Sequence, residues 1–270
     1  MTRIALAGAV LVLWAGAAQA HVETERVEYT HGDAVLEGFL AYDPHIEGAV
    51  PGVLVVHEWK GLGPYVERRA AQLAGLGYVA FAVDMYGKGV RAKDHTEAAQ
   101  LAGIYRNDRQ LMRGRIAAAL ETLRANPHVD PTRVAAIGYC FGGTTVLELA
   151  RSGADVLGVA SFHGGLDTPS PAAPGALKAK ILVLHGSDDP HVTPEQVAAF
   201  EEEMTAAGAD HEMVIYPGAK HSFTVPEANS PESGIMYNEA ADQASWEALK
   251  AFLSKLFEGQ PASMHASNGH

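Results

Sequence analysis

The residue most capable of chemistry in this sequence is Cys140, which stands at the apex of the pattern Gly138-Tyr139-Cys140-Phe141-Gly142. The residues from Val134 onward form an apolar run typical of a buried strand, and the residues after the pattern begin a helix. Small residues two positions to either side permit the strained strand-to-helix turn called a nucleophile elbow. The helix dipole there favours a thiolate. The pattern predicts a cysteine nucleophile; the alternative is an inert core cysteine after a glycine-rich turn.

A cysteine nucleophile needs a base, and the base needs an acid that orients it. His221 follows the last predicted strand, and two carboxylates, Asp188 and Asp189, follow the strand before it. The order nucleophile, acid, histidine is that of an α/β-hydrolase triad, in which each member follows a strand. Taken singly, His221 would be a loop histidine and the aspartates turn residues. Their agreement with the elbow predicts a triad.

Glu58 follows another apolar run, so we expect it at the same end of the sheet as Cys140. A partly desolvated carboxylate beside a thiol could accept the thiol proton in a hydrogen bond and so hold the thiol neutral. A neutral thiol would resist oxidation until the substrate arrives. The alternative is a surface glutamate paired with Lys60.

The elements that must position these residues alternate between strands and helices. Runs of alternating apolar and polar residues predict an N-terminal antiparallel hairpin over residues 26–30 and 34–42. Apolar runs predict strands buried on both faces at residues 52–56, 78–83, from 134, 156–162, 181–184 and 212–216. Helical patterns occupy residues 64–75, 96–105, 108–125, 194–207 and 237–257, with Asp108 and Thr193 as N-caps and Pro194 in the first helical position. This order predicts an α/β fold with a mostly parallel sheet of about eight strands, helices on both faces and a site at the strands' carboxyl ends. We expect the polar segment 89–107 to lie over the mouth of that site.

Composition excludes several classes of protein. The chain has 270 residues, 47% of them apolar, and a net charge of −12, so a packed core is expected and nucleic-acid binding is not. Cys140 is the only cysteine, so no intrachain disulfide can form, and the 13 histidines show no metal-binding spacing. We therefore expect no metal and no cofactor, and we favour a monomer.

Residues 1–20 have the pattern of a cleaved signal peptide: Arg3, an apolar stretch, and Ala18-Gln19-Ala20 before the cleavage point. The alternative is a membrane anchor, but the apolar run is short for a span. We expect a secreted or periplasmic protein with one hydrolase domain over residues 21–258 and no stable membrane association. The polar residues 259–270 are expected to form a disordered tail.

Three stretches together resemble the dienelactone hydrolase (carboxymethylenebutenolidase) family of α/β-hydrolases. They are the cysteine elbow, His57-Glu58, and the segment Pro-Gly-Ala-Lys-His-Ser-Phe at residues 217–223. The resemblance covers residues 26–257. It implies a hydrolase that cleaves a small ester or lactone through an acyl-cysteine intermediate. In that mechanism Cys140 is the nucleophile, His221 the base and Asp189 the acid.

The same resemblance implies roles for residues around the triad. Glu58 would contact the resting thiol, and the backbone N–H groups of Trp59 and Phe141 would form the oxyanion hole. Well-known members hold a substrate carboxylate with two arginines, but Lys88 and Val225 stand at those positions here. We expect both to bind substrate, Lys88 as a point charge and Val225 as apolar surface. Neutral esters or lactones should then be hydrolysed at least as well as substrates that carry a carboxylate.

Two other functions stay open. One is a general acyl-esterase or peptidase-like hydrolase of the same fold. The other is a periplasmic binding or redox-sensing protein that uses Cys140 as a sulfenic switch, although the sequence has no second cysteine to complete such a cycle. Turnover of a chromogenic short-chain ester would separate the enzyme from the sensor.

Overall fold

A computed structural model of the chain describes residues 21–258. The predicted signal peptide, residues 1–20, and the predicted tail, residues 259–270, lie outside the described residues. The strands of the main sheet are β1 (Glu23–His31), β2 (Ala34–Tyr42), β3 (Val50–Val56), β4 (Val79–Val83), β5 (Val129–Tyr139), β6 (Gly158–Phe162), β7 (Lys180–Gly186) and β8 (His211–Tyr216). The helices are α1 (Pro64–Ala74), α2 (His95–Asn107), α3 (Arg109–Arg124), α4 (Phe141–Arg151), α5 (Pro194–Ala207) and α6 (Glu239–Glu258).

The eight strands lie in the order β1-β2-β4-β3-β5-β6-β7-β8. β1 and β2 form the N-terminal antiparallel hairpin, and β2 is antiparallel to β4. All the other pairs in this sheet are parallel. Parallel neighbours need a crossover between them; helices lie in these connections except between β6 and β7, which the irregular segment 163–179 joins. The predicted α/β fold, with about eight strands and an N-terminal hairpin, is confirmed.

The sheet is buried on both faces, and β3 shows how. Leu54 and Val56 belong to one buried cluster, whereas Val53 and Val55, which point the other way, belong to a second cluster. Residues of α2, α3, α4 and α5 complete the first cluster, and residues of α1 and α6 complete the second. Helices therefore cover both faces, which is why the strands read as continuous apolar runs.

The helix starts follow the capping residues in the sequence. The Asp108 side chain accepts a hydrogen bond from the Leu111 N–H at 2.9 Å, and α3 begins one residue later. Thr193 caps α5, and Pro194 takes its first position as predicted. In the part of the chain that the structure describes, no helix is both long enough and apolar enough to cross a membrane.

A short antiparallel pair, β9 (Asn229–Ser230) and β10 (Ile235–Met236), was not predicted from the sequence. Two residues are too few to show a period of two. The pair matters because it braces the loop after β8: the His221 N–H donates to the Gly234 carbonyl at 2.9 Å, and the Met236 N–H donates to the His221 carbonyl at 3.0 Å. The backbone of the candidate base is thus held on both sides.

Candidate active site

The turn between β5 and α4 is a strained elbow with Cys140 at its apex. Cys140 has a φ of 53°, in the left-handed region that L-residues rarely adopt, and is 7% exposed. A Cβ on Gly142 would lie 2.8 Å from the His57 carbonyl oxygen and closer still to that of Val56. A Cβ on Gly138 would lie 2.9 Å from the Gly143 nitrogen and closer to the Gly142 carbonyl. The two glycines are therefore required by close backbone approach, and they let β3 and α4 meet beneath the thiol.

The structure brings three of the predicted residues into one hydrogen-bonded chain. The Cys140 sulfur lies 3.0 Å from His221 Nε2, and His221 Nδ1 lies 2.8 Å from Asp189 Oδ2. Nδ1 donates its hydrogen to the carboxylate oxygen, which accepts, and Nε2 faces the sulfur. Asp188 instead accepts a hydrogen bond from the Ser187 hydroxyl at 2.8 Å. Of the two adjacent aspartates, Asp189, which the family resemblance implied as the acid, is therefore the one in contact with His221.

Charge around His221 favours its protonated form. Burial alone would lower the pKa of His221, but the Cys140 sulfur and the Asp189 carboxylate raise that pKa well above its usual value. His163 packs edge-on against the same ring, with centroids 5.3 Å apart, and its Nε2 lies 2.8 Å from Thr224 Oγ1. Burial and the charge of His221 hold the pKa of His163 well below its usual value. Of these two histidines, His221 is therefore the one favoured in its protonated form, and His163 is favoured in its neutral form.

Glu58 lines the site but has a different partner from the one expected. We expected its carboxylate against the resting thiol; its Oε1 instead accepts a hydrogen bond from the Ser222 hydroxyl at 2.9 Å, while the sulfur faces His221. Ser222 follows His221 with a φ of 55°. Burial raises the pKa of Glu58, and the Ser222 hydrogen bond partly offsets that rise. Glu58 therefore stabilises the loop that carries His221 and Ser222, and the thiol contacts His221 in place of Glu58.

The two predicted oxyanion donors are unpaired. Among residues 21–258, neither the Trp59 N–H nor the Phe141 N–H donates a hydrogen bond to another group of the chain. Phe141 is the first residue of α4, where helical N–H groups have no intrahelical partner. Trp59 lines the same cavity as Cys140. Both groups are thus free to donate, as an oxyanion hole requires, and their role stays a prediction.

The triad opens into a cavity of about 700 Å³. Val225 lines it, as expected. Lys88 does not: its ammonium pairs with Glu28 and with Glu37, at 3.1 Å, and its N–H donates to the Val35 carbonyl at 3.0 Å. These contacts turn Lys88 onto the β1–β2 hairpin, so its prediction as a substrate-binding residue is corrected. The cations that do line the cavity are Lys60, Arg68, Arg91, Arg106 and Arg109.

Two of these arginines, Arg91 and Arg106, come from the segment 89–107, to which the sequence analysis assigned no chemical role. Within residues 21–258, the guanidinium groups of Arg91 and Arg106 have no ion pair or hydrogen bond, whereas Arg109 pairs with Asp167 at 3.0 Å. The Ala92 N–H donates to the Lys60 carbonyl at 3.0 Å and holds the segment on the loop after β3. The available signal was the cluster of basic residues just after β4, because that loop must lie at the carboxyl edge of the sheet.

In the described part of the chain, no group of three or more His, Cys, Asp or Glu side chains is arranged so that it could hold a metal ion. The side chains that meet at the elbow are a thiol, an imidazole and a carboxylate, with two unpaired backbone N–H donors and unpaired guanidinium groups nearby. This set suits acyl transfer.

Comparisons with known proteins agree with this geometry. The family model described as Dienelactone hydrolase family matches residues 36–257. An uncharacterized protein of Caenorhabditis elegans is 40% identical over 150 residues, which are 54% of this chain and 94% of that protein. A Bradyrhizobium protein named probable 2-oxo-3-(5-oxofuran-2-ylidene)propanoate lactonase is 28% identical over 229 residues, covering 80% of this chain and 89% of that protein.

A solved structure gives a more complete match. It is a dienelactone hydrolase-like promiscuous phosphotriesterase from metagenomic libraries, 39% identical, with a TM-score of 0.84. The alignment covers 87% of this chain and 99% of that one. With the family match over residues 36–257, the chain is a hydrolase of ester or lactone bonds. It belongs to the dienelactone hydrolase family, with the α/β-hydrolase fold.

Proposed function

We propose that this protein hydrolyses a small ester or lactone through an acyl-cysteine intermediate. The observation that carries the proposal is the hydrogen-bonded chain Cys140–His221–Asp189 at the cavity. The sulfur attacks the carbonyl carbon as His221 holds the thiol proton, and the carbonyl π electrons move to oxygen, where the Trp59 and Phe141 N–H groups donate. Collapse expels the alcohol, which takes the proton from His221. Water, deprotonated by His221, then attacks the thioester and releases the acid and the thiol.

We also propose that the preferred substrate carries an anionic group. This replaces the expectation of a neutral substrate, because Lys88 lies on the hairpin and the unpaired Arg91 and Arg106 line the cavity. An arginine can hold a carboxylate with two parallel hydrogen bonds. The propanoate in the name of the Bradyrhizobium relative supports the same choice.

Steady-state kinetics with two substrates test both statements. Cys140→Ala should abolish turnover of a carboxylate-bearing dienelactone and of a neutral aryl ester, with the circular dichroism spectrum unchanged. Arg91→Gln and Arg106→Gln should each lower kcat/KM for the dienelactone by about tenfold or more, the scale of a lost charge-assisted hydrogen bond. The neutral ester should change by less than about twofold.

Lys88→Gln is the matched control, because it removes a cation outside the cavity. It should leave kcat/KM for both substrates within about twofold of the wild-type value. Equal losses for both substrates in the Arg91 and Arg106 variants would contradict the anionic substrate. Full activity of Cys140→Ala would contradict the mechanism.

A second candidate activity is phosphotriester hydrolysis, favoured by the 39% identity to a promiscuous phosphotriesterase. Here the sulfur would attack phosphorus, a sulfur–phosphorus bond would form and an aryl oxide would leave. Water would then cleave the sulfur–phosphorus bond. Release of nitrophenol from a dialkyl nitrophenyl phosphate by the wild type, and none by Cys140→Ala, would support it. A redox-sensing role for Cys140 is not favoured by these similarities.

We propose further that the chain is exported and cleaved after Ala20, on the pattern of residues 1–20. N-terminal sequencing of the protein from the periplasm of a Gram-negative host should then begin at His21. A retained Met1 would contradict it.

A further inference from the structure

His57 is a buried histidine for which the proposed mechanism has no role. It follows β3 directly and is fully inaccessible to solvent. Its ring meets Tyr86 edge-on, with centroids 4.8 Å apart, and stacks within 15° of parallel on Phe141 at 5.8 Å. A histidine that is fully buried needs a hydrogen-bond partner within the protein for each of its ring nitrogens.

Each ring nitrogen of His57 has a partner with a fixed role. Nδ1 lies 2.6 Å from the Glu58 carbonyl oxygen, which can only accept, so Nδ1 carries the hydrogen. Nε2 lies 3.3 Å from the Met85 N–H, which can only donate, so Nε2 is bare. Burial lowers the pKa of His57 to about 4, in keeping with this neutral form. The two contacts therefore specify one tautomer.

The Glu58 carbonyl, which accepts the short hydrogen bond from His57 and a longer one from the Gly61 N–H at 3.3 Å, belongs to the same peptide group as the Trp59 N–H. No peptide bond in residues 21–258 is cis, so the C=O and N–H of this planar group point in opposite directions. The next carbonyl, that of Trp59, accepts from the Tyr86 hydroxyl at 2.9 Å. Both peptide planes that flank Trp59 are thus anchored through their carbonyls, while its N–H is free to donate.

We infer that His57 is a positioning residue of the oxyanion hole: its Nδ1–H fixes the plane of the Glu58–Trp59 peptide and so aims the Trp59 N–H at the carbonyl oxygen of the substrate. The same ring stacks on Phe141, whose N–H is the other donor. His57 therefore contacts both residues whose N–H groups are the predicted donors. The inference rests on the proposed acyl-cysteine mechanism and names the residue that prepares its oxyanion hole.

Variants of His57 separate this role from simple core packing. His57→Phe keeps an aromatic ring against Tyr86 and Phe141 but removes both hydrogen bonds. His57→Asn places an amide N–H where Nδ1 stands and restores the bond to the Glu58 carbonyl. For ester hydrolysis, we expect His57→Phe to lower kcat by about tenfold to a hundredfold, since loss of one whole oxyanion donor costs about 10²–10³. KM should stay within about twofold, and His57→Asn should recover most of the loss.

Two further measurements report on the oxyanion hole and on the thiol separately. A trifluoromethyl ketone substrate analogue adds the Cys140 sulfur to its carbonyl carbon; its oxygen gains the π electrons and His221 takes the thiol proton. The inhibition constant should rise in His57→Phe by a factor similar to the fall in kcat, because the adduct carries the oxyanion. Alkylation of Cys140 by iodoacetamide, followed by mass spectrometry, generates no oxyanion and should keep its wild-type rate.

Wild-type kcat and ketone affinity in His57→Phe would overturn the inference. Equal losses of hydrolysis, ketone affinity and alkylation would overturn it as well, since they indicate general disorder of the site. If His57→Phe does not fold, the pair His57→Asn and His57→Gln decides, because a glutamine amide matches Nε2 and not Nδ1; equal ketone affinities in the two would overturn it. Activity in Cys140→Ala would show instead that the proposed function itself is wrong.

Discussion

At the scale of single residues, one hydrogen bond distinguishes two adjacent aspartates. Asp189 receives the Nδ1–H of His221, whereas Asp188 bonds to a serine hydroxyl. Asp189→Asn should lower kcat for ester hydrolysis by about 10³–10⁴, because the amide stabilises the wrong tautomer of the imidazole. Asp188→Asn, the matched control, should stay within about threefold of the wild type. A larger loss in the Asp188 variant would contradict the geometry.

The buried His57 also makes stability depend on pH. Its pKa is lowered by burial from 6.5 to about 4, so between these values the unfolded chain binds a proton there that the folded chain does not. The free energy of unfolding therefore falls as pH drops from about 6.5 to about 4, with no further loss from this residue below that range. One pKa unit is about 1.4 kcal/mol, so the full effect is about 3 kcal/mol.

We expect His57→Asn to lose less stability than the wild type across this interval. Urea denaturation at about pH 7 and about pH 4.5 measures the free energy of unfolding of both proteins at each end of it. Comparing the two proteins isolates His57 from the other buried histidines. The same pH dependence in both would contradict the low pKa of His57.

The residue scale is also where the sequence predicted least. The glycines of the elbow and the order of the triad could be predicted, because a nucleophile elbow requires small residues at fixed positions around the nucleophile and the triad follows a fixed chain order. The direction of Lys88 was not, because its partners Glu28 and Glu37 lie about fifty residues or more earlier and meet it only through the pairing of β2 with β4. Arg91 and Arg106 lie in a segment whose placement depends on the same tertiary contacts.

At the scale of elements, the close contact of β3 with α4 supports the thiol. A Cβ on Gly142 would meet backbone atoms of Val56 and His57, which cannot move aside without shifting β3. Gly142→Ala should therefore cost about 2–4 kcal/mol of unfolding free energy and most of the activity. Gly103→Ala, in the middle of α2 with open space around its Cβ, should instead raise stability by up to about 1 kcal/mol. Urea denaturation measures the change in unfolding free energy of each variant. Changes of the same sign in both variants would contradict the steric explanation.

Elements with local signals were predicted well. α5 begins and ends where Thr193, Pro194 and Gly208 place it, because cap, first-turn proline and left-handed glycine are all local devices. β5 begins at Val129, five residues before the predicted strand, where it pairs with β3 across an irregularity between Pro51 and Gly52. That extension depends on the neighbouring strand and has no signal in its own residues.

At the scale of the whole molecule, Arg69 links distant parts of the chain. Its guanidinium, on α1, forms an ion pair with Asp242 on α6. It also donates to the Thr224 carbonyl at 3.1 Å, in the loop that carries His221. The guanidinium carbon lies 5.8 Å from the ring centre of Tyr139, the residue that precedes Cys140 in the sequence. A buried charge that loses its partner is costly. This pair therefore couples the last helix to the active site.

We expect Asp242→Asn to lower the free energy of unfolding by about 3 kcal/mol, because Arg69 would keep a buried charge without its partner. Glu227→Gln is the control, since it removes the partner of the neighbouring Arg68 in a pair whose side chains are 52% and 66% exposed. It should change stability by less than about 0.5 kcal/mol. Thermal and urea denaturation measure both, and equal effects would contradict the proposed link.

The hydrogen bond from the Ala92 N–H to the Lys60 carbonyl joins two parts of the cavity lining that, in the proposed function, would act on different ends of a substrate. One part carries Arg91, and the other carries the Trp59 N–H. An anionic substrate bound by the Arg91 guanidinium would therefore also steady the loop that carries the Trp59 N–H, so that recognition at one end of the substrate would assist bond breaking at the other. A substrate trimmed of its anionic group would then be turned over more slowly even at saturation, and the enzyme would distinguish its substrates by rate as well as by affinity.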